Sequence, residues 1–509
     1  VRGEKTPCLC EDWSGLLEEC SDPFTPGFPE IKWSADTLAW KIDTELNKDP
    51  DDGWWRRRKI ITYSDQAMDG VPFDYLSISD TQRKWLRHDP DLLAFIRGDR
   101  SLEGVRFRKR SSYYGDFRHS TPVSYSSILL AGANDGMLHV FDEQSGHEYF
   151  SYVPNLLYAQ WHNVTSTAGS PSEKRALLGD TNYQENHQFY VDGPVAVKYL
   201  EDSVTTLAVG ALGRGGQGIY SLNLFGIREM DDIEAQAADI VMWEYPDPSR
   251  DGLQAIDGRF VRIDPAVDES SDTYSDTETA LSTDPYLGRV FGAPKIVKLP
   301  FPNEDGYRWC VVFGNGYNSL NQTPVLYILD AYDGSLIRRI LTTKQEEADQ
   351  SMSGSSCNPE FGCNGLSSPV LVDENEDGII DFGYGGDLTG NLWKFDFTLG
   401  EIYGADGYVV AFHDSSDLDI DGRPAPRPLI SVRDKQGKPQ PITTEPTVTR
   451  PCVGAGEGMM VLFGTGWLDP TADSGSDTQS IYGIWDWQNF WRLHPDYSID
   501  PMTSYYGEI

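Results

Sequence analysis

Histidine, cysteine and basic residues are scarce in this chain, and each shortage closes off a class of function. Eight histidines are scattered over 509 residues, with no HExxH and no HxH pair, so a zinc hydrolase would lack its ligand spacing. GxSxG is absent as well, which leaves nucleophile-plus-base catalysis without an anchor. The Gly-rich stretch GALGRGGQG (210–218) lacks the Lys-Ser/Thr of a P-loop and reads as a turn between strands. Lys and Arg number 42 against 79 Asp and Glu, a net charge of −37. Such a surface repels phosphate backbones, so nucleic acid is a poor partner, and it attracts cations. No apolar run reaches the ~18 residues of a transmembrane helix. The chain opens on VRGEKTPCLC, without Met or a visible signal peptide, as a mature form or a fragment would.

The seven cysteines form no CxxC pair, which excludes a zinc ribbon or thioredoxin-like site. Cys357 and Cys363 flank a polar Gly- and Pro-bearing loop and can close a small disulfide, which would imply an oxidising compartment. Cys8, Cys10 and Cys20 can supply another bridge, and an odd total leaves at least one thiol over. Connectivity does not follow from spacing.

What is abundant points to β-structure. There are 49 glycines, 31 prolines, 14 Trp, 26 Tyr and 21 Phe, a composition for many short strands and tight turns. Five segments share one pattern. Each begins at a Pro (122, 194, 294, 369, 446), runs through an apolar strand ending in Gly, turns, and continues as a strand of alternating aromatic and aliphatic residues that mostly ends in Asp (142, 330, 396, 486). The segments recur every 70–100 residues or so, against ~40–50 for a regular propeller blade, so each is a blade with insertions or a blade followed by a degenerate one. The expected fold is all-β: a modified β-propeller with long loop insertions and a small N-terminal extension. Residues 1–55 read as the extension or linker and 56–509 as the propeller. Helical periodicity is rare. DTQRKWLRHDPDLLAFIRG (80–98) is the best helix candidate, broken at Asp89-Pro90, and ADIVMWEY (238–245) is compatible with strand or helix. Acidic, Ser/Thr-rich insertions such as 266–284 are expected to decorate the surface. His139 alternates with Leu138 and Val140 and reads as a strand-face residue rather than a ligand.

The stretch VDENEDGIIDFGYGGDLTGNLWKFD (372–396) packs carboxylates at a spacing that a solvated turn would not need. Asp373, Asn375 and Asp377 occupy positions 1, 3 and 5 of an EF-hand-type calcium loop. Gly378 stands at the turn, Ile379 offers its carbonyl at position 7, and Asp381 stands at position 9. Position 12 is Tyr384 instead of Glu, so the loop joins strands, and water is expected to complete the shell of a Ca²⁺ ion. A weaker candidate is DLDIDGRP (417–424), with Asp417, Asp419 and Asp421 at positions 1, 3 and 5 but no later ligands. Arg97-Gly98-Asp99 spells a tripeptide that binds integrin-type receptors when exposed.

The blade words AGANDGMLHVFD (131–142), RKRSSYYGDFRHSTPV (108–123), VGALGRGGQGIY (209–220), GLSSPVLVDENEDGIIDFGYGGDLTGNLWKFD (365–396) and QSIYGIWD (479–486) occur in order. In them the chain resembles the C-terminal domain of the PilY-type (also PilC-type) proteins of bacterial type IV pili, over roughly residues 56–490. The resemblance implies a modified propeller of about seven blades and the same five calcium ligands. It implies a place at the pilus tip or cell surface of a Gram-negative bacterium, reached through the periplasm. There the family supports pilus assembly, counters retraction and takes part in attachment, under calcium modulation. Pilins or minor pilins and a host or abiotic surface would be the partners. The family often carries an N-terminal von Willebrand factor A-like module. The competing readings are a quinoprotein-like propeller enzyme, for which no vicinal cysteine pair is present, and a passive lectin or matrix module. Catalytic residues are not expected.

Overall fold

The computed structural model describes residues 8–11, 17–20, 33–41, 53–159, 179, 187–247, 253–256, 259–262, 284, 286–301, 306–319, 322–342, 364–398, 409–410, 412–418, 424–450, 458–467 and 479–486. Each of the five repeated segments folds into one sheet, with antiparallel pairing along the segment. Sheet I orders Asp69–Pro72, Ile60–Ser64, Glu148–Val153, Met137–Asp142, Ile128–Ala133 and Val123–Tyr125 side by side. Its one parallel pairing joins Ile60–Ser64 to Glu148–Val153. Sheet II runs through Val195–Leu200, Thr205–Ala211, Ile219–Asn223 and Val241–Tyr245 in order, and sheet III through Lys295–Phe301, Gly306–Gly314, Val325–Asp330 and Leu336–Leu341. Sheet IV contains Val370–Val372, Phe382–Gly386 and Asn391–Asp396, extended by Val409–Val410 and Ile430–Ser431. Sheet V holds Thr447–Thr449, Met459–Gly464 and Ile481–Asp486. Five such sheets lie among the described residues and do not close a ring there; about seven blades stays an expectation.

The alternation in the strands decides how the sheets stack. Successive side chains point to opposite faces. In Thr205–Ala211, Leu207, Val209 and Ala211 pack towards sheet III, while Ala208 packs towards sheet I. In Val325–Asp330, Val325, Tyr327 and Leu329 face sheet II, and Leu326 and Ile328 face sheet IV. Both faces are therefore buried, and four apolar layers fill the seams I–II, II–III, III–IV and IV–V. This is the face-to-face stacking of propeller blades.

Buried carboxylates pin three of those seams. Glu244 of sheet II accepts the Tyr152 hydroxyl of sheet I at 2.6 Å and the N–H groups of Asn155 and Leu156. Asp284 accepts the hydroxyls of Tyr245 (sheet II) at 2.7 Å and Tyr327 (sheet III) at 2.8 Å. Asp486 of sheet V accepts from Tyr384 and Lys394 of sheet IV. The Asp that ends a repeat strand has a second, local role. Asp142 caps the next turn through Gln144 N, Ser145 N and Ser145 Oγ, Asp330 through Tyr332 N and Asp333 N, and Asp396 through Thr398. Such Asx turns stop a strand and start a tight reversal.

The helix candidate resolves into Asp80–Trp85 and Pro90–Arg97, broken where Asp89-Pro90 predicts. Asp89 Oδ1 caps the second helix through the N–H groups of Asp91 and Leu92, with Pro90 in its first turn. The 238–245 stretch is both alternatives in turn: a helical turn Ala237–Ile240 and a strand Val241–Tyr245. The Gly213–Gly215 turn links two strands of sheet II, as read from the sequence. The N-terminal extension is fastened to the propeller at Trp33 and Asp36, among other places. Trp33 Nε1 donates to Glu143 O at 2.8 Å, and Asp36 accepts from Ser112 Oγ and Tyr113 N. Hairpin Cys8–Glu11/Leu17–Cys20 sets Cys8 opposite Cys20 in register. Cys357 and Cys363 lie outside the described residues, as does most of 266–284. Cys310 is a buried free thiol.

His139 is more than a strand-face residue. It is fully buried, with Nδ1 at 2.7 Å from Glu148 and Nε2 at 3.2 Å from Asp135. Arg58 closes the cluster onto Glu148 with bonds of 2.8 and 2.9 Å. Burial alone would push the His139 imidazole down; Asp135 and Glu148 outweigh it and lift it from 6.5 to about 9. A raised histidine contributes stability that is complete below its unfolded value and lost as pH rises through the folded one. The midpoint of urea unfolding is therefore expected to fall between about pH 6.5 and 9. Glu244, lifted by burial to about 8, falls in stability in the same direction, so the comparison to make is with His139→Gln. The variant should lack the part of the decline that extends to pH 9; parallel profiles for the two proteins would contradict the assignment.

Candidate metal centre

Loop 373–381 connects the first two strands of sheet IV, Val370–Val372 and Phe382–Gly386. It winds its backbone around its own side chains. Asp373 accepts from Asp377 N at 3.2 Å and Gly378 N at 2.7 Å. Asn375 Oδ1 accepts from Asp377 N at 2.9 Å, and Asp377 Oδ1 from Ile379 N at 2.8 Å. Asp381 Oδ2 reaches back to Glu374 N at 2.8 Å. Gly378 has φ +88, a left-handed conformation that glycine adopts without strain. The turn residue thus sits where the spacing predicts.

The charge pattern suits a cation. Burial lifts the Asp381 carboxyl above its ordinary range, and the Asp377 and Asp373 charges lift it further, against the N–H groups of Glu374 and Asn375. A neighbouring cation would reverse that repulsion. Among the described residues no three His, Cys, Asp or Glu side chains already converge on one point. The candidate donor set is mixed, however: three carboxylates, one amide and one carbonyl, and a carboxylate oxygen that accepts an N–H keeps a lone pair for a metal. The set fits a hard cation that takes oxygen ligands. Tyr384, at the position of the missing Glu, is fully buried and donates its hydroxyl to Asp486, which removes it from the donor set.

Two partners of the loop come from other sheets. Ile380 N donates to Lys298 O of sheet III at 2.9 Å, beside a parallel bridge between Ile379 and Lys298. Arg450, after the first strand of sheet V, donates to Glu374 O at 2.7 Å. The loop is therefore a clasp across sheets III, IV and V. No local signal in the sequence could have found Lys298 or Arg450, because their contacts come from stacking.

The other candidates are placed differently. Asp419 and Asp421 lie outside the described residues, and Asp417 falls in strand Phe412–Leu418. Arg97-Gly98-Asp99 is a helix terminus. Arg97 is buried and donates to Phe73 O, Arg58 O and Glu234. Gly98 caps the helix at φ +125 against Trp54, and Asp99 accepts from Ser101 N. The condition of exposure is not met at Arg97, whose guanidinium is engaged within the fold.

Comparison with known proteins agrees with the architecture. The model of the PilY1 beta-propeller domain matches residues 108–492. Type IV pilus biogenesis factor PilY1 of Pseudomonas aeruginosa (strain PAK) is 31% identical over 94% of this chain and 38% of its own length. A PilY1 homolog of Xylella fastidiosa (strain Temecula1 / ATCC 700964) is 30% identical over 78% of this chain and 24% of its own. The chain thus spans less than two-fifths of these relatives. The crystal structure of the P. aeruginosa PilY1 C-terminal domain aligns at 28% identity and a TM-score of 0.44, over 71% of this chain and 57% of that one. With five propeller-type sheets, the blade words in order and a family match over most of its length, the chain belongs to the PilY1 β-propeller domain family.

Proposed function

We propose that this chain is the calcium-binding propeller of a type IV pilus biogenesis factor. It acts at the cell surface or pilus tip, supports extension against retraction, and takes part in surface attachment. Its partners are pilins or minor pilins and a host or abiotic surface. The observation that carries the reading is loop 373–381, whose ligand-type side chains are wound around one turn while its backbone is tied to Lys298 and Arg450.

Side-chain oxygens of Asp373, Asn375, Asp377 and Asp381 and the carbonyl of Ile379 would hold the ion. A bound Ca²⁺ would supply a hard divalent charge that offsets three crowded carboxylates. The chain's own residues do the rest. Ile380 and Arg450 transmit the position of the loop to the neighbouring sheets, so an ordered loop sets the III–IV–V surface and a loosened one frees it.

The test is a chromosomal Asp381→Ala replacement in the bacterium that makes this protein. At unchanged protein abundance, surface pili should fall several-fold and lose their dependence on calcium in the medium. Wild-type pilus numbers with the calcium response intact would refute the reading.

A further inference from the structure

Where a turn of sheet II meets a turn of sheet III, two arginines come together. The turn after Thr205–Ala211 carries Arg214 and Gln217, and Gln217 Nε2 donates to Asn318 O at 3.1 Å. Asn318 follows Tyr317, which exchanges both backbone bonds with Arg289, at 2.7 and 3.2 Å. Arg289 lies in the segment that leads into sheet III. The sheet II turn is pressed against the chain before Val195–Leu200: an added Cβ at Gly215 would overlap Tyr190 O at 1.4 Å. Arg214 is therefore presented from a closely packed base.

The charges there are left uncompensated. Arg58, Arg97 and Arg110 each engage a carboxylate. Among the described residues neither Arg214 nor Arg289 has an ion pair or a side-chain hydrogen bond. In a chain with 79 Asp and Glu against 42 Lys and Arg, composition favours the opposite. The nearby carboxylates are held by imidazoles. Arg214 Cζ stands over the Phe189 ring at 5.3 Å, and His119 and His187 flank the same ring at 5.5 and 5.4 Å. Asp192 pairs with His119 Nδ1 at 2.7 Å and Asp116 with His187 Nε2 at 3.2 Å. Both arginines are half-buried, and their nitrogens remain accessible. Burial pushes the Arg289 guanidinium below its ordinary value, and the Arg214 charge pushes it further. An anion placed between two such charges would turn repulsion into attraction. The guanidinium fork matches the oxygens of carboxylate, sulfate and phosphate.

We propose that Arg214 and Arg289 form a binding site for one oxyanion group, a carboxylate or a tetrahedral sulfate or phosphate, at the junction of sheets II and III. The acidic surface repels polyanions, so the ligand carries a single such group. The turn still lacks the Lys-Ser/Thr of a P-loop, and side chains from two sheets hold the anion instead of one Gly-rich backbone. The site does not depend on the calcium reading, because loop 373–381 is tied to sheets III and V at Lys298 and Arg450.

The experiment is equilibrium dialysis of the full chain against radiolabelled sulfate, phosphate and acetate, each in chloride buffer at fixed ionic strength. The wild type should bind at least one of the three at a single site, and the comparison among them identifies the oxyanion. Arg214→Gln and Arg289→Gln should each bind it at least about tenfold more weakly. Thermal unfolding supplies the second readout. In chloride alone both variants should be as stable as the wild type or more so, since each removes one of two repelling charges. The bound anion should raise the wild-type melting temperature by more than that of either variant, which removes the general effect of the salt. Absence of binding to all three anions by the folded wild type, undiminished binding in both variants, or a lower melting temperature of both variants in chloride would overturn the proposal. A negative result here with calcium still bound would leave the reading of loop 373–381 standing.

Discussion

Arg58→Ala is expected to cost about 3–5 kcal/mol of folding stability, the usual consequence of breaking a buried ion pair from one side. The Arg58 side chain is 2% exposed and that of Glu148 7%. Besides Glu148, Arg58 donates to Arg97 O and Ser151 Oγ and covers the Trp54 ring at 4.6 Å. Its removal leaves two carboxylates, Glu148 and Asp135, facing one imidazolium in an apolar layer. It also detaches the turn Trp54–Arg57 from sheet I, where the propeller begins. Urea unfolding of Arg58→Ala and Arg58→Lys would measure this. Lysine restores a charge but not the fork that engages Glu148, so it should recover only part of the loss. A change below about 1 kcal/mol in Arg58→Ala would mean that the cluster tolerates an unpaired carboxylate, contrary to its burial.

Trp243→Ala should be comparably severe, at about 3–5 kcal/mol. Trp243 lies in the outer strand of sheet II and is 1% exposed in the II–III seam. Its Nε1 donates to Ala331 O at 3.0 Å across that seam. Its ring also fills the space beside Gly334, where an added Cβ would meet it at 2.5 Å. The substitution opens a cavity and leaves the Ala331 carbonyl without this donor. Trp243→Phe keeps most of the volume and should retain most of the stability. Thermal unfolding of the two variants separates packing from the hydrogen bond. Equal destabilisation by both would assign the effect to the lost N–H.

Much of this architecture was legible because propeller strands are local. Each Pro-to-Asp segment folds into one sheet, and the residues that mark it have local reasons: Asp142, Asp330 and Asp396 cap the turns that follow them. The broken helix at Asp89-Pro90 follows from capping chemistry, which also acts within a few residues. The turn of loop 373–381 was legible in the same way, since Asp373 accepts from Asp377 N and Gly378 N within one turn and Gly378 takes the left-handed position that the spacing assigns it. What escaped the sequence is what stacking creates. Strand Ile60–Ser64 pairs in parallel with Glu148–Val153, almost ninety residues on, and no local pattern announces it. His139 reads as one polar residue on an apolar strand, yet its partners come from elsewhere: Arg58 from the end of the turn Trp54–Arg57, and Glu148 from the neighbouring strand of sheet I. The burial of Arg97 escaped the sequence for the same reason: its acceptors, Phe73 O and Arg58 O, are remote from it in the chain.

The central claim is that crowded carboxylates at 373–381 form a cation cage that clasps three sheets. Calorimetric titration of calcium into the purified chain and into its Asp381→Ala variant tests it most directly. The account predicts a calcium site in the wild type that is lost or at least tenfold weaker in the variant, with circular dichroism unchanged. Absence of binding heat in the wild type, or identical isotherms for the two proteins, would reduce the loop to a solvated turn and contradict the account.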